Sequence, residues 1–502
     1  MEGTSIILTC LVFSPFLALL FIAFMSKQEV KTIRTLAVLG TIPPLVFSSW
    51  LFIKYHQGYD LALVEEARSW LSFGFFPVDE GPRPFSIEYE LAVNGFSLLM
   101  LSLTSILTTV ASVAAFRIQE KVKGYYVAFY FLFIGMLGVF ASNNLFLFFL
   151  FFELTLVSLF FLIGKWGDAR KEKAAYSYLI YNGIGSALLL LVIAFIFATT
   201  GTTSIDELTS FFRYDDSFQS GTKAWLAFTL FIAFGIKLPI FPFHTWMLNV
   251  HVHAPPAAVI LHAGILLKIG AYGLIQFGFG FFPSEFQAMS PLLLLVGLVN
   301  LLYGAVLALI QTEFKRVLAY SSVSHMGIVL LGLGAVNEAG VQGAIFQVIS
   351  HGFIAALLFF LVNTVEMRFQ TTDLARLGGL AHHVPKLAGF LLVASLASLG
   401  LPSMSGFISE LMAFVGVFQT SLYIGAFGVI ALILTAVYML RAVLAITFGQ
   451  RKEEGNHIDL KWFETLSVSA LTAFIFGIGL FPQWVTDSII NTVQIVLNGM
   501  GG

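Results

Sequence analysis

The chain has 502 residues, of which 58% are hydrophobic and only 11% are charged, and its mean hydropathy is +0.90. Soluble domains carry roughly 25% charged residues, so the polar surface available here is too small to cover a globule in water. These values exclude a soluble enzyme and predict a protein whose natural solvent is the lipid bilayer.

Apolar runs long enough to cross a bilayer recur along the whole chain. A spanning helix needs about 20 predominantly apolar residues. The runs predict an all-α polytopic membrane protein with fourteen transmembrane helices, near residues 4–25, 33–54, 91–116, 124–142, 143–164, 174–198, 224–243, 254–277, 290–311, 317–335, 340–365, 386–417, 422–448 and 463–487. The first run lacks an A-x-A-like cleavage site and its basic residues follow it, so we interpret it as a retained helix.

The distribution of basic residues predicts the orientation of the chain. Nineteen of the 26 Lys and Arg residues lie in one set of alternate loops, five lie in the opposite loops, and two lie inside helices. Because cytoplasmic loops carry the excess of Lys and Arg, both termini are predicted on the outer face of the cell membrane. The charged loops 165–173 and 451–461 are interpreted as solvated faces.

The sequence has no motif for a redox or nucleotide cofactor. Its single cysteine, Cys10, is too few to hold an iron–sulfur cluster or to form an internal disulfide. Neither a G-x-G-x-x-G after a strand nor a phosphate-binding loop is present. We therefore expect no cofactor in this chain, and we expect any redox chemistry to belong to other subunits.

Four ionisable residues fall well inside predicted helices, and they are Glu153, Lys237, Lys268 and Glu410. Placing one charge at the centre of a bilayer costs roughly 2.5–3.5 kcal/mol even on the lenient insertion scale. One interpretation is that these residues form structural salt bridges between helices. The favoured interpretation is that they mark an ion path, because intramembrane charges usually do.

Polar residues spaced by one helical turn accompany these charges. Ser321 precedes His325 by four residues, and Gln347 precedes His351 by four, so each helix carries a small polar stripe. A single buried histidine is more often a satisfied core residue. Two such helices between charged ones favour a proton relay, because histidine titrates near neutrality.

A second group of histidines raises the possibility of a metal site. His244, His251, His253 and His262 lie close together in the sequence, and His251-x-His253 has the spacing of a chelating pair. However, no cysteine and no nearby acidic cluster completes a ligand set. Metal binding is therefore the weaker interpretation of this region.

Two predicted spans contain helix breakers next to a charge. In FGIKLPIFPFHTW, Pro239 and Pro242 follow Lys237, and in SLGLPSMSGFISE, Pro402 precedes Glu410. Broken helices at membrane depth are tolerated where they line a cavity, and transporters use them at ion sites, once in each structural repeat. The pattern predicts three N-terminal helices over residues 1–123, a first repeat over 124–277 and a second repeat over 290–448. A C-terminal loop with helix 14 would follow over residues 449–502.

Three segments carry a specific family resemblance. The runs GIKLPIFPFHTW…HAPPAAVILHAGILLKIGAYGL, FKRVLAYSSVSHMGIVL and IFQVISHGFIAALLF resemble the antiporter-like subunits of respiratory complex I, a family that includes the large subunits of Mrp antiporters and of membrane-bound hydrogenases. The resemblance covers roughly residues 90–450. It implies two inverted five-helix repeats, helices 4–8 and 9–13, with a charged proton path along the membrane centre. It also implies membrane partner subunits, with flavin and iron–sulfur clusters elsewhere in the complex, and no role in nucleic-acid binding.

The resemblance also implies roles for individual residues. Glu153 and Lys237 look like the coupled glutamate–lysine pair of the family, and Lys268 like its central lysine. His325 and His351 look like the polar relay, and Glu410 like the terminal group of the second broken helix.

Glu410 and Ala355 resemble the M-type branch of the family, because most relatives have lysine at the position of Glu410 and several have lysine at that of Ala355. The family motif H-x-W-L-P-D-A-H reads HTWMLNVH here, and its D-G in the third helix reads Asn94-Gly95, so a divergent member of the family stays possible. The expected function is a proton-translocating membrane subunit of an NADH:quinone oxidoreductase. A subunit of an Mrp-type cation/proton antiporter, of another ion-coupled transporter or of a hydrogenase complex is the alternative, and a structural scaffold is the weakest.

Overall fold

The computed structural model describes residues 5–76, 83–214, 220–450 and 458–498. The chain ends, for which the sequence predicts an outer location, lie partly outside these ranges. Residues 451–457 of the charged loop that we interpreted as solvated lie outside them as well. Within the described ranges the chain is mostly helical, which confirms the predicted fold class.

The elements follow in a simple order along the chain. The N-terminal part comprises α1 (Ile7–Phe24), α2 (Val30–Leu39), α3 (Ile42–His56), β1 (Glu66–Phe76), β2 (Arg83–Leu91) and α4 (Gly95–Ala114). The next part comprises α5 (Val122–Ala141), α6 (Leu145–Trp166), α7 (Lys171–Thr200), α8 (Ile205–Tyr214), α9 (Ser220–Lys237), α10 (Thr245–His253), α11 (Pro256–Leu261), α12 (Lys268–Gly273) and α13 (Pro283–Ala288). The last part comprises α14 (Ser290–Ile310), α15 (Phe314–Gly334), α16 (Glu338–Phe369), α17 (Leu380–His383), α18 (Pro385–Ser398), α19 (Ser405–Thr420), α20 (Leu422–Thr447), α21 (Trp462–Leu480) and α22 (Gln483–Asn498).

Twelve helical segments among the described residues are long and apolar enough to cross a membrane. They coincide with twelve of the fourteen spans predicted from sequence. The other two predicted spans, 224–243 and 386–417, coincide with helices that the structure breaks, at α9–α10 and at α18–α19. Both interruptions lie where the prolines predict them, while the full count of fourteen spans and the repeat boundaries stay predictions.

Asparagine side chains cap the N-termini of several of the long helices. Asn94 accepts a hydrogen bond from the backbone N–H of Ser97 at the start of α4, and Asn144 accepts one from Phe146 at the start of α6. Such caps satisfy backbone donors that have no partner within the helix. Asn94 therefore caps α4, and this departure from the family motif leaves the helix start intact.

A β-hairpin between α3 and α4 is an element that the sequence analysis did not predict. Strands β1 and β2 pair antiparallel, with Phe73 opposite Phe85. The buried carboxylate of Glu66 accepts hydrogen bonds from the backbone N–H groups of Leu8 and Thr9 at 2.8 and 3.2 Å. The hairpin thereby caps α1 and holds the N-terminal helix against the rest of the fold.

The C-terminal end also differs from the prediction. The span predicted at 463–487 ends at Leu480, before Pro482, and a separate helix, α22, follows. The carbonyl oxygen of Ser488 in α22 lies so close to Gly95 that a Cβ there would come within 1.7 Å of it. Only glycine fits at this contact, so α22 is packed directly on the start of α4.

Helix α16 occupies the centre of the molecule and packs against α4, α11, α18, α19, α21 and α22. The most apolar 18 residues of this helix are all buried, as are those of the segment Pro256–Phe279. Gly264 and Gly352 face each other, since a Cβ on Gly352 would lie 3.0 Å from the carbonyl oxygen of Gly264. Small residues permit this close backbone approach, which brings the two most buried helices and their polar residues together.

Candidate functional site

The first of the buried charges lies at the end of the first broken helix. Lys237 is the last residue of α9, and its side chain is buried. Its Nζ lies 4.6 Å from the ring centroid of Phe152 and 5.7 Å from that of Tyr178. Glu153 is near enough for its charge to act on Lys237, yet among the described residues the two form no ion pair within 4.0 Å. A fixed salt bridge therefore does not account for this pair.

Asn300 of α14 stabilises the broken backbone after Lys237. The N–H of Phe241 donates to Asn300 Oδ1 at 2.6 Å, and Asn300 Nδ2 donates to the carbonyl of Pro239 at 3.4 Å. Trp246 Nε1 donates to the carbonyl of Ile236 at 3.2 Å, within the last turn of α9. In a bilayer, backbone groups freed by a helix break need such internal partners.

We expect Asn300→Leu to destabilise the protein by about 1–3 kcal/mol, because it leaves the buried N–H of Phe241 without an acceptor. Asn363→Leu is the matched control. Asn363 is also buried in a central helix, but neither polar atom of its side chain has a partner in the described part of the chain. Thermal unfolding in detergent should show a lower midpoint for Asn300→Leu only. Equal midpoints for the two variants would contradict this role of Asn300.

Lys268 lies at the centre of the molecule and is completely buried. Its Nζ donates to His351 Nδ1 at 2.8 Å and also to the carbonyl oxygen of Ala263. Ala263 belongs to a π-helical segment, His262–Leu266, and a second one, Leu274–Phe279, follows α12. π-Helical turns are rare and occur mostly at functional sites. Sequence periodicity gave no signal for them.

His325 connects the centre to the second broken helix. Its Nδ1 accepts a hydrogen bond from Gln347 Nε2 at 3.2 Å and lies 3.6 Å from Glu410 Oε1. Its Nε2 lies 3.4 Å from the hydroxyl of Ser398, and its ring centroid lies 5.2 Å from that of His351. The two histidines predicted from sequence therefore lie side by side, between Lys268 and Glu410.

The break between α18 and α19 makes room for the carboxylate of Glu410. Gly400 lies in this break with φ +75°, a conformation that favours glycine. A Cβ at Gly400 would lie 2.6 Å from Glu410 Oε2. The glycine is therefore required both by the backbone turn and by the space that the buried carboxylate occupies.

Two histidines that the sequence analysis considered only as metal ligands lie in the same buried region as Lys237, because the Lys237 Nζ and the His262 ring are both next to the ring of Tyr178. The His262 ring lies 4.9 Å from that of His251 and 6.2 Å from that of Tyr178, centroid to centroid. The His244 ring instead makes an edge-on contact with Tyr303, with the ring centroids 5.0 Å apart, and His253 Nδ1 lies 2.7 Å from Asp168 Oδ1. Over the residues that the structure describes, no group of three or more His, Cys, Asp or Glu side chains is arranged to hold a metal ion.

All six residues predicted as proton carriers belong to one group of polar side chains, which we call the central polar row, and all of them except the partly buried Glu153 are buried. Its members are Glu153, Lys237, His262, His251, Lys268, His351, His325 and Glu410, and neighbouring side chains are in contact from Lys268 through His351 and His325 to Glu410. The polar neighbours are arranged differently from the prediction. Gln347 bonds to His325 and not to His351, and Ser321 accepts from Tyr438 at 2.9 Å. The participation of these residues in proton transfer stays a prediction.

A family model and full-length relatives of known name assign the chain to the same family. The family model described as NADH:quinone oxidoreductase/Mrp antiporter, transmembrane region, matches residues 142–435. NADH-quinone oxidoreductase subunit M of Rickettsia bellii is 32% identical, over 98% of both chains. NAD(P)H-quinone oxidoreductase chain 4 of Gloeobacter violaceus is 36% identical, over 96% of this chain and 90% of that protein.

Solved structures show the same fold. A chain of respiratory complex I from Thermus thermophilus matches with a TM-score of 0.85 at 24% identity, over 99% of this chain and all of that one. A chain of the Mrp complex from a Dietzia species matches with a TM-score of 0.80 at 21% identity, over 98% and 99% of the two chains. The protein therefore belongs to the NADH:quinone oxidoreductase/Mrp antiporter family of membrane subunits.

Proposed function

We propose that this chain is the M-type, antiporter-like subunit of a proton-translocating NADH:quinone oxidoreductase. The observation that carries the proposal is the central polar row, which crosses the buried middle of the fold from Glu153 to Glu410. The names of the full-length relatives support the NADH-linked member of the family. The glutamate at position 410 supports the M-type branch, because the family resemblance implies lysine at this position in most other members.

In the proposed mechanism, protons enter from the cytoplasmic side and occupy Lys237 and then Lys268. A carboxylate that approaches an ammonium group stabilises its charged form, and withdrawal of the carboxylate favours release of the proton. Movement of Glu153 relative to Lys237 would therefore switch proton binding. The absence of an ion pair between the two described side chains supports a pair that moves and is not locked.

The second half of the proposed path has direct contacts. Lys268 Nζ–H already donates to His351 Nδ1, so a proton on the lysine faces an acceptor. His325 lies beside His351, and its Nδ1 lies 3.6 Å from Glu410 Oε1. Histidine is suited to pass protons near neutral pH, and Glu410 would release them on the outer side.

The finer parts of the assignment belong to the same proposal. The repeats would span 124–277 and 290–448, with a broken helix at a corresponding place in each. Both termini would face outward from the cell membrane. This chain would hold no cofactor and would work with other membrane subunits, while flavin and iron–sulfur clusters in other subunits would carry the electrons.

The expected energy source separates this function from that of an Mrp-type antiporter. We expect membrane vesicles that contain the complex to acidify when NADH is added, as read by quenching of a pH-gradient dye. A sodium gradient without NADH should cause no acidification, because in the proposed function the protons are driven by redox work and not by ion exchange.

The control is a strain in which the gene for this chain is deleted, which should lose the NADH-driven signal. If a sodium gradient alone drives proton movement that depends on this chain, and NADH does not, the protein is an antiporter subunit and the redox assignment is wrong.

A further inference from the structure

A cavity lies where α1, α2, α5 and α6 reach one end of the membrane region. It has a volume of about 740 Å³ and is lined by four lysines, Lys27, Lys121, Lys123 and Lys165, together with Ala23 and several valines. No acidic residue is among its described lining residues. We call it the lysine cavity. None of its lining residues belongs to the central polar row.

Among the described residues, the lysine charges in this cavity have no anionic partner. None of the four forms an ion pair with a described carboxylate. Lys123 Nζ donates to the carbonyl of Met25 at 2.8 Å, and Lys165 Nζ lies 5.1 Å from the ring centroid of Trp166. Four like charges around one cavity repel one another, so an anion in the cavity would lower the energy of the arrangement.

Lys121, one of the cavity lysines, has an unusual backbone conformation. Lys121 precedes α5 with φ +48°, in the left-handed region that non-glycine residues rarely adopt. Such strain persists where the surrounding structure requires it, often at ligand sites. The strained lysine is therefore a second indication that the cavity has a binding role.

The position of the cavity indicates what kind of anion it takes. Its lining residues lie at the ends of α1 and α6, at the start of α2, and just before and within the first turns of α5. This is the face that the basic loops predict to be cytoplasmic. One helical turn further into the membrane, on the same helix faces, lie the exposed apolar side chains Leu20, Phe131 and Phe161. A charged cavity above an apolar strip matches a phosphate headgroup with acyl chains below it.

We propose that the lysine cavity binds the anionic headgroup of a cytoplasmic-leaflet phospholipid, with its acyl chains on the strip formed by Leu20, Phe131 and Phe161. Basic clusters at this membrane face attract anionic lipids, and ammonium groups bind phosphate as point charges. The bound lipid would join α1 and α2 to α5 and α6, and so would fasten the N-terminal helices to the channel-bearing part of the chain. This inference does not depend on the proposed function.

The test uses the detergent-solubilised complex and a fluorescent phosphatidylglycerol, with binding read by anisotropy. The variant Lys27→Gln/Lys121→Gln/Lys165→Gln should bind about 100-fold more weakly, from roughly fivefold for each lysine at a membrane surface. Lys123 is kept because it holds Met25. The control Lys173→Gln/Arg376→Gln/Lys386→Gln removes three exposed charges from the same face and should bind like the parent.

Further arms distinguish the ligand and guard against misfolding. The variant Lys27→Arg/Lys121→Arg/Lys165→Arg should restore binding, since it keeps the charges. Unlabelled phosphatidylglycerol should displace the probe, whereas phosphatidylcholine with the same chains and inorganic phosphate at the same concentration should not. Unchanged binding by the glutamine variant, equal loss in the control variant, or displacement by phosphatidylcholine or by phosphate would overturn the proposal.

Discussion

Glu153→Gln and Lys237→Ala should each abolish most NADH-driven proton pumping while the complex assembles normally. Removal of a proton-transferring group commonly lowers a rate by 10²–10⁴-fold, so we expect a loss of at least about tenfold in initial pumping rate. Glutamine keeps the shape of Glu153 but carries no charge to act on Lys237. Alanine removes the only amine at the end of α9, where Nζ has aromatic rings and no hydrogen-bond partner among the described residues.

The controls for this pair are Glu172→Gln and Lys173→Ala, which change the same residue types at exposed positions at the start of α7. Vesicles with equal complex content should pump normally with either control. Normal pumping by Glu153→Gln or by Lys237→Ala would remove that residue from the path and would leave it a structural charge.

Glu410→Ala should stop pumping, whereas Glu410→Lys should keep a measurable part of it. Alanine cannot bind and release a proton, but lysine can. Some loss is expected even with lysine, because a second positive charge near Lys268 repels the proton there. Pumping by Glu410→Ala at the parental rate would place the exit elsewhere, with His351 as the next candidate.

The geometry around Glu410 offers an independent version of this experiment. Gly400→Ala puts a Cβ within 2.6 Å of Glu410 Oε2 and forces alanine into φ +75°, so the carboxylate must move. Gly389→Ala is the matched control, because a Cβ at Gly389 of α18 meets nothing within 4 Å. We expect reduced pumping for Gly400→Ala only. Equal pumping by both variants would show that the exact position of the carboxylate is unimportant.

Much of the membrane architecture could be predicted from local sequence. Hydropathy located the twelve long helical segments, because each contains an apolar run of about 20 residues. The prolines after Lys237 and before Glu410 located the two breaks, because proline removes a backbone donor and cannot continue a helix. Burial of the four charges followed from their position within apolar runs, although Glu153 is only partly buried.

The features that sequence reasoning missed depend on contacts between distant residues. In the β1–β2 hairpin, only β2 alternates apolar and polar residues with a period of two, and the alternation in β1 is broken where its register shifts after Ser69. A window of 20 residues averages this short pattern away. The bond from Gln347 to His325 joins two helices, so the spacing of Gln347 and His351 on one helix did not predict it. The π-helical turns around Lys268 have no sequence signature of their own.

The place of His251 and His262 was also beyond the sequence pattern. Four histidines within 19 residues suggested a shared ligand set, because sequence proximity was the only available measure. In the structure, His244 and His253 are turned toward Tyr303 and Asp168, whereas His251 and His262 face each other inside the fold. Helix direction after the break at Pro239 and Pro242 separates the group, and local spacing does not report that direction.

The central claim is that buried groups in this chain bind and release protons during NADH oxidation, and Lys268 tests it most directly. The measurement is the number of protons moved per NADH oxidised, in vesicles of equal complex content, for the parent, Lys268→Met and Lys268→Arg. Arginine keeps the positive charge but is not deprotonated in proteins. We predict that both variants move far fewer protons per NADH oxidised than the parent, because release of the proton from residue 268 is required. A parental ratio in Lys268→Arg would show that only the charge matters, and a parental ratio in Lys268→Met would show that neither the charge nor the proton does; either result would contradict the account.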